Sequence, residues 1–532
     1  MTMTRNSVFS SMESVFAHLC FWDLAFAFLG LFVFSCIREK LTNNGPMLWP
    51  VLGIMPTMLL HINDTLNFGT RALIRAGGTF RYRGVWMGGA HGVMTADPVN
   101  IEYILRTNFT NFPKGKYYRE RFQDLLGDGI FNADYELWKE QRRTAKMEMH
   151  SSRFIDHSLR TMQDLVHLKL LKLTEKLVRS EDSFDLQEML LRFTFDNICT
   201  AAFGVDPGYL NLDLPEVPFA KAFEEATELT LNRFLVPLFV WKTMKLFGIG
   251  YEKRLRTAIE FVHEFADETV RKRRNELIKL GSLNDQSDLL SRLMDIVPTE
   301  DGKNQQQFPD KYFRDFCVSF ILAGRDTTSV ALAWFFWLVH SNPDVESKIL
   351  REINEILSHR NRNCENGNDN DILFAIEELN NMVYLQAALS ESMRLYPSVP
   401  TEIKEVIEDD VLPDGSVVKK GARVLYCIFS MARMESVWGK DCLEFKPERW
   451  INKDEKFASA NQFKYAVFNA GPRSCLGKKF AYLQMKMVAA SILLRYCVKV
   501  VEGHNVVPKM TTTLYMKNGL MVTLKPRLPY KF

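Results

Sequence analysis

Between Pro309 and the Asn342-Pro343 pair the chain runs for about 32 residues without a proline, and a helix of that length spans nearly 50 Å. Pro309 suits a helix start and Asn342-Pro343 a stop. The second half, Val330 to Val339, is apolar on every side, so it has to be buried. Arg325-Asp326 interrupts the apolar run and leaves too few residues for a membrane span, which makes this a buried central helix. A chain of 532 residues can enclose such a helix, since size scaling buries more than ~75% of the unfolded surface. Helical periodicity dominates from about Pro98 to Pro397. Alternating residues at 77–95 and after Pro400 predict strands, with Asp414-Gly415 and Asn518-Gly519 as hairpin turns. The expected fold is mainly α with small β-sheets near both ends.

Several function classes drop out. The net charge of +3 gives no footprint of a nucleic-acid binder. Nine cysteines form no Cys-x-x-Cys pair, which argues against a zinc ribbon or a disulfide lattice and for a reducing compartment. The chain lacks His-Glu-x-x-His, the phosphate-binding glycine loop, the Gly-x-Ser-x-Gly elbow and a dinucleotide fingerprint after a strand. The 39 phenylalanines suggest a large apolar interior or an apolar ligand.

After a short tail, residues 1–14, the stretch from Val15 to Ile37 is long and apolar enough to cross a bilayer, with Asp23 movable to one interface. Arg38 and Lys40 follow it and only Arg5 precedes it, so the positive-inside rule puts the bulk of the chain in the cytosol. A signal anchor is the better reading than a cleaved signal peptide, because Ser35-Cys36-Ile37-Arg38 is a poor cleavage site. Residues 38–56, with Pro46, Pro50, Gly53 and Pro56, read as a stiff hinge, and 57–532 as one catalytic domain. The polar run His359 to Asp371 reads as a surface loop.

Three constellations carry chemistry. Ala323-Gly324-Arg325-Asp326-Thr327-Thr328 puts helix-weakening residues in the middle of the central helix. A groove against a ligand, with Asp326 and Thr327 relaying protons, and a packing glycine beside a solvated Asp-Thr pair are equal readings of it. Glu391 and Arg394, three apart among apolar neighbours, predict a buried ion pair to which Arg449 could add a second guanidinium. Phe468 to Gly477 puts Cys475 just before a helix expected over Lys478 to Leu494, where backbone N–H groups favour a thiolate. There Gly471 and Gly477 allow close approach of a flat ligand, Phe468 offers a ring to it, and Arg473 can meet a carboxylate.

These residues resemble the cytochrome P-450 haem-thiolate monooxygenases. The likeness rests on Phe-x-x-Gly-x-Arg-x-Cys-x-Gly at 468–477, Glu391-x-x-Arg394, Pro447-Glu448-Arg449, Ala323-Gly324-x-Asp326-Thr327-Thr328, and Trp138-x-x-x-Arg142. It covers roughly 45–532 and implies haem b (iron protoporphyrin IX), with Cys475 as the axial thiolate on the metal. It further implies that Arg473, Trp138 and Arg142 hold the propionates, that Phe468 and Gly324 border the haem, and that Asp326 and Thr327 deliver protons. Glu391, Arg394 and Arg449 would brace the proximal side. Electrons would come from NADPH through an external flavoprotein, NADPH–cytochrome P-450 reductase, at an endoplasmic reticulum membrane. Lys139, Arg143, Lys146, Lys464, Lys478 and Lys479 could face that reductase, or form an ordinary solvated surface.

Tyr384 to Ser392, Pro397-Ser398-Val399-Pro400, Asp409 to Gly415, Asn111 to Gly115 and Leu126 to Asn132 look like the plant fatty-acid ω-hydroxylase branch, clan 86. That resemblance implies hydroxylation of long-chain fatty acids or acyl derivatives at or near the terminal methyl, for cutin- or suberin-type polymers. Candidate channel residues are the segment 116–131, Phe320, Ala323, Val399 to Thr401 and Thr513-Leu514. Alternatives are an alkane or other lipid hydroxylase, a hydroperoxide-rearranging haem-thiolate enzyme, and a haem sensor. The intact Asp326-Thr327 pair speaks against the last two.

Overall fold

The structure, a computed structural model, describes residues 21–85, 90–295, 308–361 and 373–527. Asp310–Ser341 is one continuous helix, with Pro309 as its extended N-cap and Asn342 at its end. It is long and apolar enough to cross a membrane, yet most of it is enclosed by protein, as its all-round apolar second half requires. Val330 to Phe336 pack in one core with the helices Leu186–Phe203, Val383–Leu395 and Lys478–Arg495. Trp334 anchors this core: its ring stacks on Tyr396 at 4.0 Å, and its Nε1–H donates to the Leu514 carbonyl at 2.7 Å.

A second core surrounds the first half of the central helix, and much of the phenylalanine goes there. Phe195 stacks on Phe219 and Phe265 packs tilted against both, all within 5.9 Å, joining the helices Leu186–Phe203, Pro218–Leu235 and Gly250–Leu280. Burying many large rings this way is ordinary core construction.

A four-stranded sheet covers one side. Its strands are β1 (Thr79–Arg83), β2 (His91–Thr95), β3 (Thr401–Glu405) and β4 (Arg423–Cys427), in the spatial order β1-β2-β4-β3. β1–β2 and β3–β4 are antiparallel and β2–β4 is parallel, so Tyr82, Gly92, Arg423 and Glu405 form one row across the sheet. The Asp414-Gly415 hairpin is present, joining Asp410–Val411 to Val417–Val418. The expected Asn518-Gly519 hairpin is not. Leu514–Met516 pairs with Pro508–Met510, whereas Met521–Pro526 pairs with Phe184–Asp185 and Tyr496–Val500, so that turn passes between two sheets.

At the amino end, residues 15–20 of the expected span lie outside the described residues. From Phe21 a helix runs to Thr42, past the expected boundary at Ile37, so residues 38–42 are helical. Its apolar side chains are exposed, Phe28 at 71% and Leu31 at 65%. The proline-rich segment then docks on the sheet through Ile54 N–H to the Arg83 carbonyl, 2.7 Å. The polar run after His359 begins within the helix Pro343–Asn361, and its part over 362–372 lies outside the described residues.

Candidate active site

The weak centre of the main helix becomes a widened π-helical turn, Leu322–Asp326. Thr327 follows it, and its Oγ1–H donates to the Ala323 carbonyl at 2.6 Å, a bond that stabilises such a bend. Thr327 and Ala323 line a cavity. Asp326 lies elsewhere: it is fully buried, bonded to Arg325 Nη1 at 2.6 Å, and no hydrogen bond joins its carboxylate to the Thr327 hydroxyl. Its buried Oδ2 has the buried Tyr515 hydroxyl as its neighbour, and that hydroxyl helps to stabilise the carboxylate. Burial raises the Asp326 pKa and Arg325 opposes the rise.

Gly324 does not serve ligand approach through its missing side chain. A Cβ there would lie 2.7 Å from the Ile198 side chain, so the glycine lets the Leu186–Phe203 helix close on the central one. Gly471 is corrected in the same way. Its φ is +63° and a Cβ would lie 2.1 Å from the Leu105 carbonyl oxygen, so the turn itself demands glycine. Gly477 is the N-cap of Lys478–Arg495, and a Cβ there would stand 3.9 Å from Cys475 Sγ.

The Cys475 loop is closed by its own N–H donating to the Phe468 carbonyl at 2.8 Å. The thiol is exposed, yet protein surrounds it closely enough for desolvation to push its pKa up, so it faces an internal hollow. The Gly477 N–H, Arg142 and Lys478 act the other way. Phe468 packs against Tyr482 with the rings tilted at 39° and centroids 5.3 Å apart. Arg142 Nη2 donates to the Ser474 carbonyl at 2.8 Å, and the buried Trp138 ring lies between Arg142 (5.8 Å) and Arg473 (4.5 Å). The three residues expected to hold propionates therefore stand together beside the cysteine.

The charges at this place ask for an anion. Arg473 pairs with Asp134 at 2.6 Å and leaves its buried Nε without an acceptor. Lys114 pairs with Glu402 at 2.6 Å. Lys404 on β3 is fully buried with no partner for its ammonium, and burial, Lys114 and Arg473 hold its pKa far below the lysine range. An uncompensated buried cation is costly, and the carboxylates of a haem seated on Cys475 would offset it. The residues fit the group. Neither Lys404 nor Lys114 is singled out by the sequence as a haem partner; for Lys404 a lysine inside a strand-like run was the available signal, whereas Lys114 precedes the helix Gly115–Leu126 and carried none.

Below the hollow, Glu391 receives Arg394 through two bonds, Arg449 Nε at 3.3 Å and Trp450 Nε1 at 2.9 Å. Arg394 also donates to the carbonyls of Ala432, Cys442 and Glu444. The expected triad is assembled, with Trp450 added. Lys139, Arg143, Lys146, Lys478 and Lys479 are exposed, while Lys464 is half-buried over the Trp438 ring.

The cavity holds about 550 Å³ and runs from Thr327 to the outer end of the sheet near Tyr82 and Ile54. Tyr117, Phe122, Val399, Thr401 and Thr513 line it as expected. Phe320 and Leu514 do not: Phe320 stacks on Phe316 at 4.2 Å in the second core, and Leu514 is fully buried against Trp334. The face of the sheet carrying Met94, Ile403 and Leu425 supplies a wall that the sequence reading missed.

The family model for cytochrome P450 matches residues 45–528. Cytochrome P450 86B1 of Arabidopsis thaliana is 50% identical over 504 residues, covering 93% of this chain and 89% of its own. The alkane hydroxylase MAH1 of Arabidopsis thaliana is 37% identical over 501 residues, 94% of this chain and 97% of its own. Cytochrome P450 94A1 of Vicia sativa is 39% identical over 495 residues, 91% of this chain and 90% of its own.

Proposed function

The chain belongs to the cytochrome P450 family, and from that premise we propose that it hydroxylates long-chain fatty acids or their acyl derivatives at or near the terminal methyl. The overall reaction is RH + O₂ + 2e⁻ + 2H⁺ giving ROH and water. The single observation that carries the reading is the cavity, mostly apolar, lined at the widened turn by Ala323 and Thr327 and elsewhere by residues of the sheet. A chain end placed there sits against the widened turn while the rest of the lipid lies along the sheet. Haem iron, bound through the Cys475 thiolate, supplies the oxygen chemistry. Arg473, Trp138, Arg142, Lys404 and Lys114 hold its carboxylates. Thr327 presents a hydroxyl at the cavity end, and the neighbouring Asp326, buried against Arg325, is the carboxyl that would exchange protons on the way to it.

Electrons come from NADPH through a separate flavoprotein reductase that docks on the basic surface of Lys139, Arg143, Lys146, Lys478 and Lys479. The chain is held in the endoplasmic reticulum membrane by one helix, with the catalytic domain toward the cytosol. Exposed Leu59, Leu60, Ile62, Leu246 and Phe247 favour a surface dipping into lipid, where a fatty substrate would be delivered. Cutin- or suberin-type polymer synthesis is the use that this product suits. The second reading, alkane hydroxylation, is favoured by the similarity to MAH1.

The test reconstitutes purified full-length protein with reductase, NADPH and a fatty acid. The carbon monoxide complex of the reduced protein has to show the red-shifted Soret band of a thiolate ligand, and mass spectrometry has to locate a hydroxyl near the terminal methyl. A normal band with no lipid product sinks the substrate assignment; no band sinks the whole reading.

A further inference from the structure

The widened turn has a second neighbour besides the cavity. Tyr515 lies in the short strand Leu514–Met516, which is clamped on both sides of it. The Leu514 N–H donates to the Ser398 carbonyl at 2.9 Å, and the Leu514 carbonyl accepts from Trp334. The Met516 N–H donates to Gln187 Oε1 at 2.8 Å, and Gln187 Nε2 donates back to the Met516 carbonyl at 3.1 Å. Ser398 also donates its hydroxyl to the Thr327 carbonyl at 2.7 Å, so strand and turn share one anchor. The buried Tyr515 side chain is thereby held in place, with its hydroxyl beside the Asp326 carboxylate that it helps to stabilise.

Asp326 needs such a neighbour if protons are to reach it from outside. It is fully buried, and its Oδ1 is taken by Arg325. A guanidinium keeps its protons at every accessible pH, so Arg325 can hold the carboxylate but cannot resupply it. A phenol both donates and accepts, so it can give its proton to Oδ2 while its oxygen takes another. Burial pushes the Tyr515 pKa far up, which rules out a free phenolate and leaves that paired exchange. Among the described residues neither Asp326 Oδ2 nor the Tyr515 hydroxyl is taken up by another hydrogen bond.

Three carboxylates face this group from outside. Glu188, exposed at the start of Leu186–Phe203, acts on Arg325 and pairs with Arg192 at 3.0 Å. Glu228 on the helix Pro218–Leu235 pairs with Lys509 at 2.8 Å. Glu224, one turn before it and half-buried, makes no ion pair among the described residues and interacts electrostatically with Arg325, Asp326 and Tyr515. Burial raises the Glu224 pKa against the pull of Arg325 and Lys509, so this carboxyl carries a proton more readily than a surface one.

We propose that Tyr515 passes protons from Glu224, on the outer side, to Asp326, and so is a positioning residue for the monooxygenase reaction rather than core packing alone. This rests on the proton-delivery part of the reading above and deepens it. In each transfer the Tyr515 O–H bond breaks toward Asp326 Oδ2 as a new one forms with the proton arriving from the Glu224 side. Tyrosine ends unchanged, Asp326 gains a proton and Glu224 loses one.

The test compares wild type, Tyr515→Phe and Glu224→Gln as haem-loaded full chains. Infrared difference spectra, with Asp326→Asn identifying the band, titrate the Asp326 carboxyl and need no lipid. Tyr515→Phe is expected to raise that titration by about one pH unit, because a stabilising hydroxyl is lost, and Glu224→Gln to lower it, because a like charge is lost. With reductase, NADPH and a fatty acid, both variants are expected to raise hydrogen peroxide per NADPH several-fold. Both should also enlarge the solvent deuterium isotope effect on product formation, since both slow the proton's arrival. A purely electrostatic role would move coupling in opposite directions, as it moves the titration. Opposite coupling changes, or wild-type coupling in both variants, overturn the proposal. If Tyr515→Phe fails to bind haem, Glu224→Gln decides alone, and unchanged coupling with an unchanged isotope effect overturns it. If the wild type hydroxylates no lipid, the lipid reading falls by itself; the relay then falls only if Tyr515→Phe leaves the Asp326 titration unmoved.

Discussion

Arg394 meets Glu391 through two hydrogen bonds of 2.8 and 2.9 Å, with neither side chain more than 1% exposed. The pair does more than neutralise itself, because Arg394 also holds three carbonyls from the 432–444 segment that leads to the Cys475 loop. Arg394→Met leaves Glu391 buried with less compensation and frees those carbonyls. The expected loss is about 3–5 kcal/mol of unfolding free energy, read from urea melts, together with failure to retain haem. A variant that melts like the wild type would show that the segment holds itself.

Why the sequence disclosed some of this and not the rest follows from how far each feature depends on distant chain. The central helix was legible because a breaker-free run, apolar on all sides, has one stable use. Glu391-x-x-Arg394 and the Phe468–Gly477 loop were legible because their parts are local. Lys404 and Tyr515 were not, because nothing in a strand says what its neighbours hold. The charges around Lys404 come from Lys114 and Arg473, remote in sequence, and the carboxylate beside Tyr515 belongs to Asp326. The turn at Asn518-Gly519 misled for a related reason: turn chemistry fixes a reversal, not which sheets the two strands join. The role of Gly324 turned on Ile198, more than a hundred residues earlier.

That contact gives a clean test. Gly324→Ala places a methyl 2.7 Å from Ile198 in a packed helix crossing, and the expected cost is about 1–3 kcal/mol. Ile198→Ala makes room, so the double variant should recover about 1 kcal/mol or more relative to the sum of the two singles. Simple additivity in the melts would mean that the alanine is accommodated elsewhere.

Asp196 supplies a pH dependence away from the haem site. It is fully buried and accepts from the N–H groups of Tyr209 and Leu210 at 3.0 and 2.9 Å, yet burial outweighs these bonds and raises its pKa from 3.8 to about 6. The folded state then binds the proton more tightly than the unfolded one. Its contribution is fully present below pH 3.8 and is lost as pH rises through about 6. At 1.36 kcal/mol per unit this is roughly 3 kcal/mol. Wild type minus Asp196→Asn, compared in urea melts between pH 4 and pH 7, should isolate that slope; parallel curves would refute it.

Thr327 holds its hydroxyl at the cavity end by donating to Ala323. Thr327→Ala removes the hydroxyl and little volume. NADPH consumption is expected to continue while hydrogen peroxide replaces hydroxylated lipid, because proton placement, not electron supply, is what has changed. Product and peroxide yields per NADPH measure it directly, and unchanged coupling would remove Thr327 from the proton path.

Lys404 separates the cost of a prepared site from its benefit. Without haem its Nζ is buried, unpaired, and driven toward the neutral amine by burial, Lys114 and Arg473, so Lys404→Met is expected to stabilise the haem-free protein by about 1–3 kcal/mol. With haem bound a carboxylate beside it favours the ammonium and pairs with it, so the variant should release haem to apomyoglobin about ten- to a hundred-fold faster. A merely structural lysine would move both quantities in the same direction, and a solvated one would move neither. Opposite signs in the thermal melt of the haem-free protein and in the haem transfer rate are what a cation held in readiness for the propionates requires.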